Sequence, residues 1–96
     1  MKKENILNII AANKNNFRMQ FGVTKVGLFG SYARDEADEQ SDIDIVVELE
    51  KPDLFYLIGI KQILEESTGA KVDVVRLRKR MNEVLRKKIL RDVIYV

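Results

Sequence analysis

Apolar residues recur along this chain with two different periods, and each change of period marks an element. Over residues 3–17, Ile6, Ile9, Ile10 and Phe17 fit one face of a helix, with a polar gap from Asn13 to Asn16. Val23 to Phe29 reads as a strand, with Val26 and Leu28 on one face. Ser31 to Ala37 is expected to be a short helix and Asp38 to Ser41 a polar loop. Asp42 to Leu49 is a second strand, β-branched on its buried side. Pro52-Asp53 opens another helix with Asp53 as N-cap. Leu54, Leu57, Ile58 and Leu64 make its apolar face, and Gly69 ends it. Lys71 to Leu77 is a third strand. Arg80 to Leu90 is a basic helix turning Met81, Val84, Leu85 and Ile89 inward. Asp92 to Val96 is a closing strand or a packing tail. The order α-β-α-β-α-β-α favours a layered sheet-and-helix architecture.

Composition narrows the chemistry more than the fold. With 96 residues, 46% of them hydrophobic, the chain is expected to form one domain, residues 1–96, around one small core. The 33% charged residues imply a well-solvated surface, and a net charge of +2 demands no nucleic-acid partner. Cysteine and histidine are both absent. Disulfides, thiolate zinc sites and imidazole chemistry are therefore excluded. Catalysis, if present, must use carboxylates, hydroxyls, Lys, Arg and a bound ion. No apolar run approaches the length of a membrane span, and no signal-type stretch follows Met-Lys-Lys-Glu-Asn. A cytoplasmic location is expected.

The candidate chemistry lies in Gly30 to Asp44, G-S-Y-A-R-D-E-A-D-E-Q-S-D-I-D. Asp42 and Asp44 stand two apart on a strand, so both side chains should share one face while Ile43, Ile45 and Val47 point into a core. At about 5 Å and an effective dielectric near 20, their repulsion is roughly 3 kcal/mol. A partly buried pair of this kind calls for a cation, and hard oxygen ligands on a rigid face suit Mg2+; an exposed pair would repel by only about 1 kcal/mol. Alone, the pair reads more readily as a solvated strand end. Gly30 permits close backbone approach, and Ser31 opens a helix whose free N–H groups, with its hydroxyl, attract phosphate. By itself the Gly-Ser step reads more readily as an ordinary strand-to-helix turn capped by Ser31. Lys71-Val72-Asp73-Val74-Val75 places a third acid in the middle of another strand, where it could also be a plain strand-surface acid.

Together these residues resemble the nucleotidyltransferase superfamily typified by DNA polymerase β. In that superfamily a Gly-Ser turn precedes an acid-x-acid pair, and a third acid lies on a neighbouring strand. G-S-Y-A-R followed by S-D-I-D-I-V-V is most similar to the minimal nucleotidyltransferases, over roughly residues 23–76. The resemblance implies an α/β (α+β) polymerase β-like core, a small mixed sheet flanked by helices. It implies Asp42, Asp44 and Asp73 as catalytic, metal-binding residues holding two Mg2+ ions. It also implies that Gly30, Ser31 and Arg34 bind the triphosphate, with ATP as substrate. Arg34 could equally be an exposed helix residue. Many relatives carry glycine after the Ala-Arg step, whereas Asp35 and Glu36 stand here. Facing the phosphate site they would weaken binding; facing away they would not.

Minimal members are often antitoxins paired with a HEPN-domain ribonuclease. The resemblance therefore implies AMP transfer to a hydroxyl of that partner, a tyrosine. A non-catalytic antitoxin that neutralises its partner by complex formation is the other reading. The chain has no evident added domain to hold an acceptor, which favours a protein acceptor that docks by its own surface. Arg76, Arg78, Lys79, Arg80, Arg86, Lys87, Lys88 and Arg91 could touch RNA or an acidic partner, but a solvated helix face accounts for them as well. No aromatic-rich basic groove is evident, so direct nucleic-acid binding is not expected. Apolar helix surface could support a homodimer.

Overall fold

In the computed structural model, which describes residues 1–96, eight elements follow one another. They are α1 (Lys3–Phe21), β1 (Val23–Phe29), α2 (Gly30–Ala33), β2 (Ile43–Leu49), α3 (Leu54–Thr68), β3 (Val72–Arg76), α4 (Glu83–Asp92) and β4 (Ile94–Tyr95). The strands form one mixed sheet in the order β3-β2-β1-β4. β2 runs parallel to β3, and β1 is antiparallel to both β2 and β4. This is the small mixed sheet flanked by helices that the resemblance implied.

Strand alternation sorts the side chains onto two unequal faces. Val26, Leu28, Ile43, Ile45, Val47 and Val72 meet Ile6, Ile10, Phe17 and Phe21 of α1 and Ile60 and Leu64 of α3. Each such side chain, once fully buried, contributes about 1.5–3 kcal/mol. The other face is thinner. There Phe29 and Val46 pack under Ile89 of α4, with Val75, Leu85 and Val93 around them.

Several boundaries differ from the periodic reading, each for a physical reason. α1 continues past Phe17 to Phe21, because Phe21 packs on Phe17 and on Tyr56 with ring centroids 6.1 and 5.6 Å apart. Gly22 then stops it at φ +68°. α2 ends at Ala33, not Ala37.

α3 is rotated from the expected face. Tyr56, Leu57 and Ile63 join Ile60 and Leu64 in facing the core, while Leu54 and Ile58 are 69% and 42% exposed. Gly59 explains the rotation, since a Cβ there would meet the Phe21 ring at 2.9 Å. The helix turns its smallest residue to α1. Asp53 caps α3 as expected, accepting from Phe55 N at 2.9 Å, and Gly69 ends it at φ +70°.

α4 begins at Glu83, with Asn82 accepting from Leu85 N as its cap, so Arg80 and Met81 lie before it. Leu85 and Ile89, four apart, face inward, which leaves Val84 64% exposed rather than buried. The tail is a closing strand. Gly27 opposite Tyr95 admits it, since a Cβ on Gly27 would meet Val93 Cγ2 at 2.8 Å and the Ile94 carbonyl at 2.9 Å.

Candidate active site

The thin face of the sheet carries the acids. β2 places Asp44 between Ile43 and Ile45, so when those two enter the main core Asp44 must emerge on the α4 side. In the sheet register Asp44 lies opposite Phe29 on β1 and opposite Asp73 on β3. The two carboxylates therefore stand on neighbouring strands at one level, just beyond the Phe29–Val46–Ile89 cluster. β3 is held at this level by α3, whose Glu65 Oε2 accepts from Val72 N at 3.0 Å.

The Gly-Ser turn closes against these acids. Gly30 has φ +76°, and a Cβ there would collide with Asp44 Oδ2. Only glycine lets the backbone press onto the carboxylate in that conformation. Phe29, Gly30 and Ser31 form one side of a cavity of about 410 Å3. Asp44 and Asp73 form a second side, Leu85, Lys88 and Arg91 of α4 a third, and Arg34 completes the rim.

Five of the six residues expected from sequence thus line one cavity. Asp42 does not. It precedes β2, is exposed, and is delivered by a loop in which Asp38 Oδ1 accepts from Gln40 N and Asp38 N donates to Ser41 Oγ. It still acts on the site through space, because its charge raises the pKa of Asp44.

The Asp44 carboxyl is perturbed. Burial, then the charges of Asp73 and Asp42, push its carboxyl up to about 6, while Lys88 and Arg34 pull it back. Asp42, Asp44 and Asp73 do not converge into a group of three that could hold a metal ion. The donor chemistry nonetheless fits a divalent cation. All donors are hard oxygens, and Asp44 is destabilised as an anion by two neighbouring carboxylates, a strain that a cation relieves.

Periodicity alone missed the residues that organise the cations. Arg34 Nη1 donates to Asp92 Oδ2 and its Nε to Glu36 Oε2 at 3.1 Å. Arg91 Nε and Nη2 donate to the two Asp92 oxygens at 2.8 and 3.1 Å. The available signal was the spacing of Leu85, Lys88 and Arg91, three apart, which puts two cations beside an inward-facing leucine.

The two charges at positions 35 and 36 are both taken up. Asp35 pairs with Lys3 at 2.9 Å and Glu36 with Arg34. Asp35 itself sits at φ +59°, the left-handed region that glycine occupies without penalty and that aspartate tolerates better than most residues.

Comparison with known proteins agrees with this geometry. The nucleotidyltransferase domain pattern matches residues 8–96. The protein adenylyltransferase MntA of Thermococcus cleftensis is 42% identical over 94 residues, covering 97% of this chain and 94% of that protein. A solved structure assigned as a minimal nucleotidyltransferase superposes with a TM-score of 0.79 at 34% identity, covering 98% of this chain and 95% of the other. A complex of the tri-AMPylated Shewanella oneidensis HEPN toxin with an MNT antitoxin gives a TM-score of 0.68 at 26% identity, covering 99% of this chain and 71% of that one. The chain belongs to the nucleotidyltransferase-domain family, on its minimal nucleotidyltransferase branch.

Proposed function

We propose that this protein is an antitoxin that transfers AMP from ATP to a tyrosine hydroxyl of a HEPN-domain ribonuclease. The observation that carries the proposal is the cavity in which Asp44 and Asp73, in register on parallel strands, face Gly30-Ser31. The adenylyltransferase relative and the AMPylated toxin in complex with its MNT antitoxin support the same reading.

Asp42, Asp44 and Asp73 would hold Mg2+, which when bound neutralises triphosphate charge and lowers the pKa of an incoming hydroxyl. The chain's own groups do the rest. Ser31 donates its hydroxyl to a phosphate oxygen, and the tight Gly30 turn brings backbone beside the same group. Arg34 gives charge-assisted donors to the triphosphate. The acceptor oxygen attacks the α-phosphorus, the bond from that phosphorus to the bridging oxygen breaks, and pyrophosphate departs. Asp73, exposed at the open side of the cavity, orients the acceptor and takes its proton. The open cavity fits an acceptor presented by another protein.

The test is incubation of the protein and its HEPN partner with Mg2+ and α-labelled ATP. Label on a partner tyrosine is expected, and it should vanish in Asp42→Asn plus Asp44→Asn with the fold retained. Neutralisation without label, undiminished in that double variant, would identify a binding module that occludes the toxin.

A further inference from the structure

The geometry points to the C-terminal half of α4 as the grip on the β- and γ-phosphates, with Lys88 as a direct contact and Asp92 as the positioning residue behind it. This rests on the nucleotidyltransferase reading of the cavity and adds residues to it. Three cations border the cavity: Arg34, Lys88 and Arg91. They are not equivalent. Both arginines are committed to Asp92, whose side chain is only 2% exposed and whose two oxygens accept three guanidinium hydrogen bonds.

A carboxylate so covered, joining residues from α2 and α4, is a built feature rather than a surface ion pair. It holds two guanidinium groups at the rim, and the fork becomes net positive when the exposed Glu36 partner of Arg34 is displaced. Each guanidinium retains N–H donors that Asp92 does not use, because five are available per group. Arg34 spends one more on Glu36, an exposed partner that a phosphate oxygen could replace.

Lys88 differs in having no acidic partner within ion-pair distance. Its charge nevertheless reaches the site, where it lowers the pKa of Asp44. An unpaired ammonium beside a prearranged guanidinium pair, across a cavity from a phosphate-binding turn, suits an oligophosphate and not a nucleoside. The mobile ammonium follows the terminal phosphate, while the fixed fork sets its direction.

The test measures Mg2+-dependent binding of a non-hydrolysable ATP analogue and of AMP by calorimetry, with transfer kinetics alongside. Lys88→Ala, at an exposed position, should weaken analogue binding about 10-fold, the loss of one charge-assisted contact. AMP binding should stay within about 2-fold, and kcat/KM for ATP should fall by at least the loss in analogue binding, because the β- and γ-phosphates carry the charge of the departing pyrophosphate. Asp92→Asn should show the same selective loss, and Asp92→Glu should restore part of it. If Asp92→Asn fails to fold, Lys88→Ala still decides. Equal loss for AMP and the analogue, or no loss in either variant, would overturn the proposal while an active parent keeps the proposed function intact. A parent that neither binds the analogue nor transfers AMP would overturn both.

Discussion

The two faces of the sheet are made from the same strands and do opposite work. Along β2, Ile43, Ile45 and Val47 are fully buried against α1 and α3, while Asp44 and Val46 face α4. One face has thirteen buried residues in its cluster and the other three. The difference shows where this small protein keeps its stability and where it tolerates cost. A carboxylate whose ionisation is opposed by burial and by two like charges is affordable only because the opposite face holds the strands in place. The thin face also leaves the acids accessible at the edge of its small cluster, where a thicker covering of helices would have sealed them.

The largest effect should separate the two faces completely. Asp44→Asn is nearly isosteric and should reduce AMP transfer by about 10³-fold or more, on the scale of losing a preorganised transition-state group. Thermal stability at neutral pH should not fall. Ile45→Ala, the next residue and the other face, should do the reverse. It deletes a fully buried side chain and should cost about 2–5 kcal/mol in denaturant unfolding, with kcat of the folded fraction unchanged. A large kinetic defect in folded Ile45→Ala would mean that the faces are not separable.

Gly30→Ala should fall between these outcomes, because it touches both. The residue is at φ +76°, and the new methyl group would strike the Asp44 carboxylate. A cost of about 1–3 kcal/mol is expected from backbone strain, with transfer falling as Asp44 is displaced. An alanine variant with parental activity would show that the close approach of turn and acid is dispensable.

This division also explains how much could be read in advance. The thick face follows a simple pattern: β-branched alternation in β1 and β2 and helical spacing in α1 announce it. The Gly-Ser turn with Asp44 was equally readable, because the motif and its strands lie in continuous sequence, whereas Asp73, on β3 beyond α3, was reached through the family resemblance. Features that depend on distant packing were not. The rotation of α3, which exposes Leu54 and Ile58, is decided by Gly59 meeting Phe21 across two helices. The tie between Arg34 and Asp92 spans 58 positions. Only the register of β4 on β1 and the packing of α4 bring those residues together. Asp42 shows the limit of period-two reasoning, since it holds only while both residues lie inside the strand and β2 begins one residue later.

The smallest effect is a pH dependence that reports the cost carried by the thin face. The Asp44 carboxyl is raised to about 6, against about 4 for an unfolded aspartate. Between those values the folded protein binds more protons than the unfolded chain, so stability must fall as pH rises through that window and level off above it. Asp44 is only half-buried, so solvent screening should hold the change to on the order of 1 kcal/mol. Asp92 has the opposite sign. Its pKa is lowered by Arg91 and then by Arg34, so its contribution is present above the usual carboxylate range and is lost only as pH falls below it. The two windows therefore do not overlap. Unfolding curves in chelator across pH 4–7 should slope downward for the parent and lie flat for Asp44→Asn. Added Mg2+ at pH 7 should raise the parent's midpoint and leave that variant's unchanged, because a cation stabilises the folded state only where the charged acid awaits it. A parent slope that persists in Asp44→Asn would move the cost to another group and remove the energetic contrast between the faces.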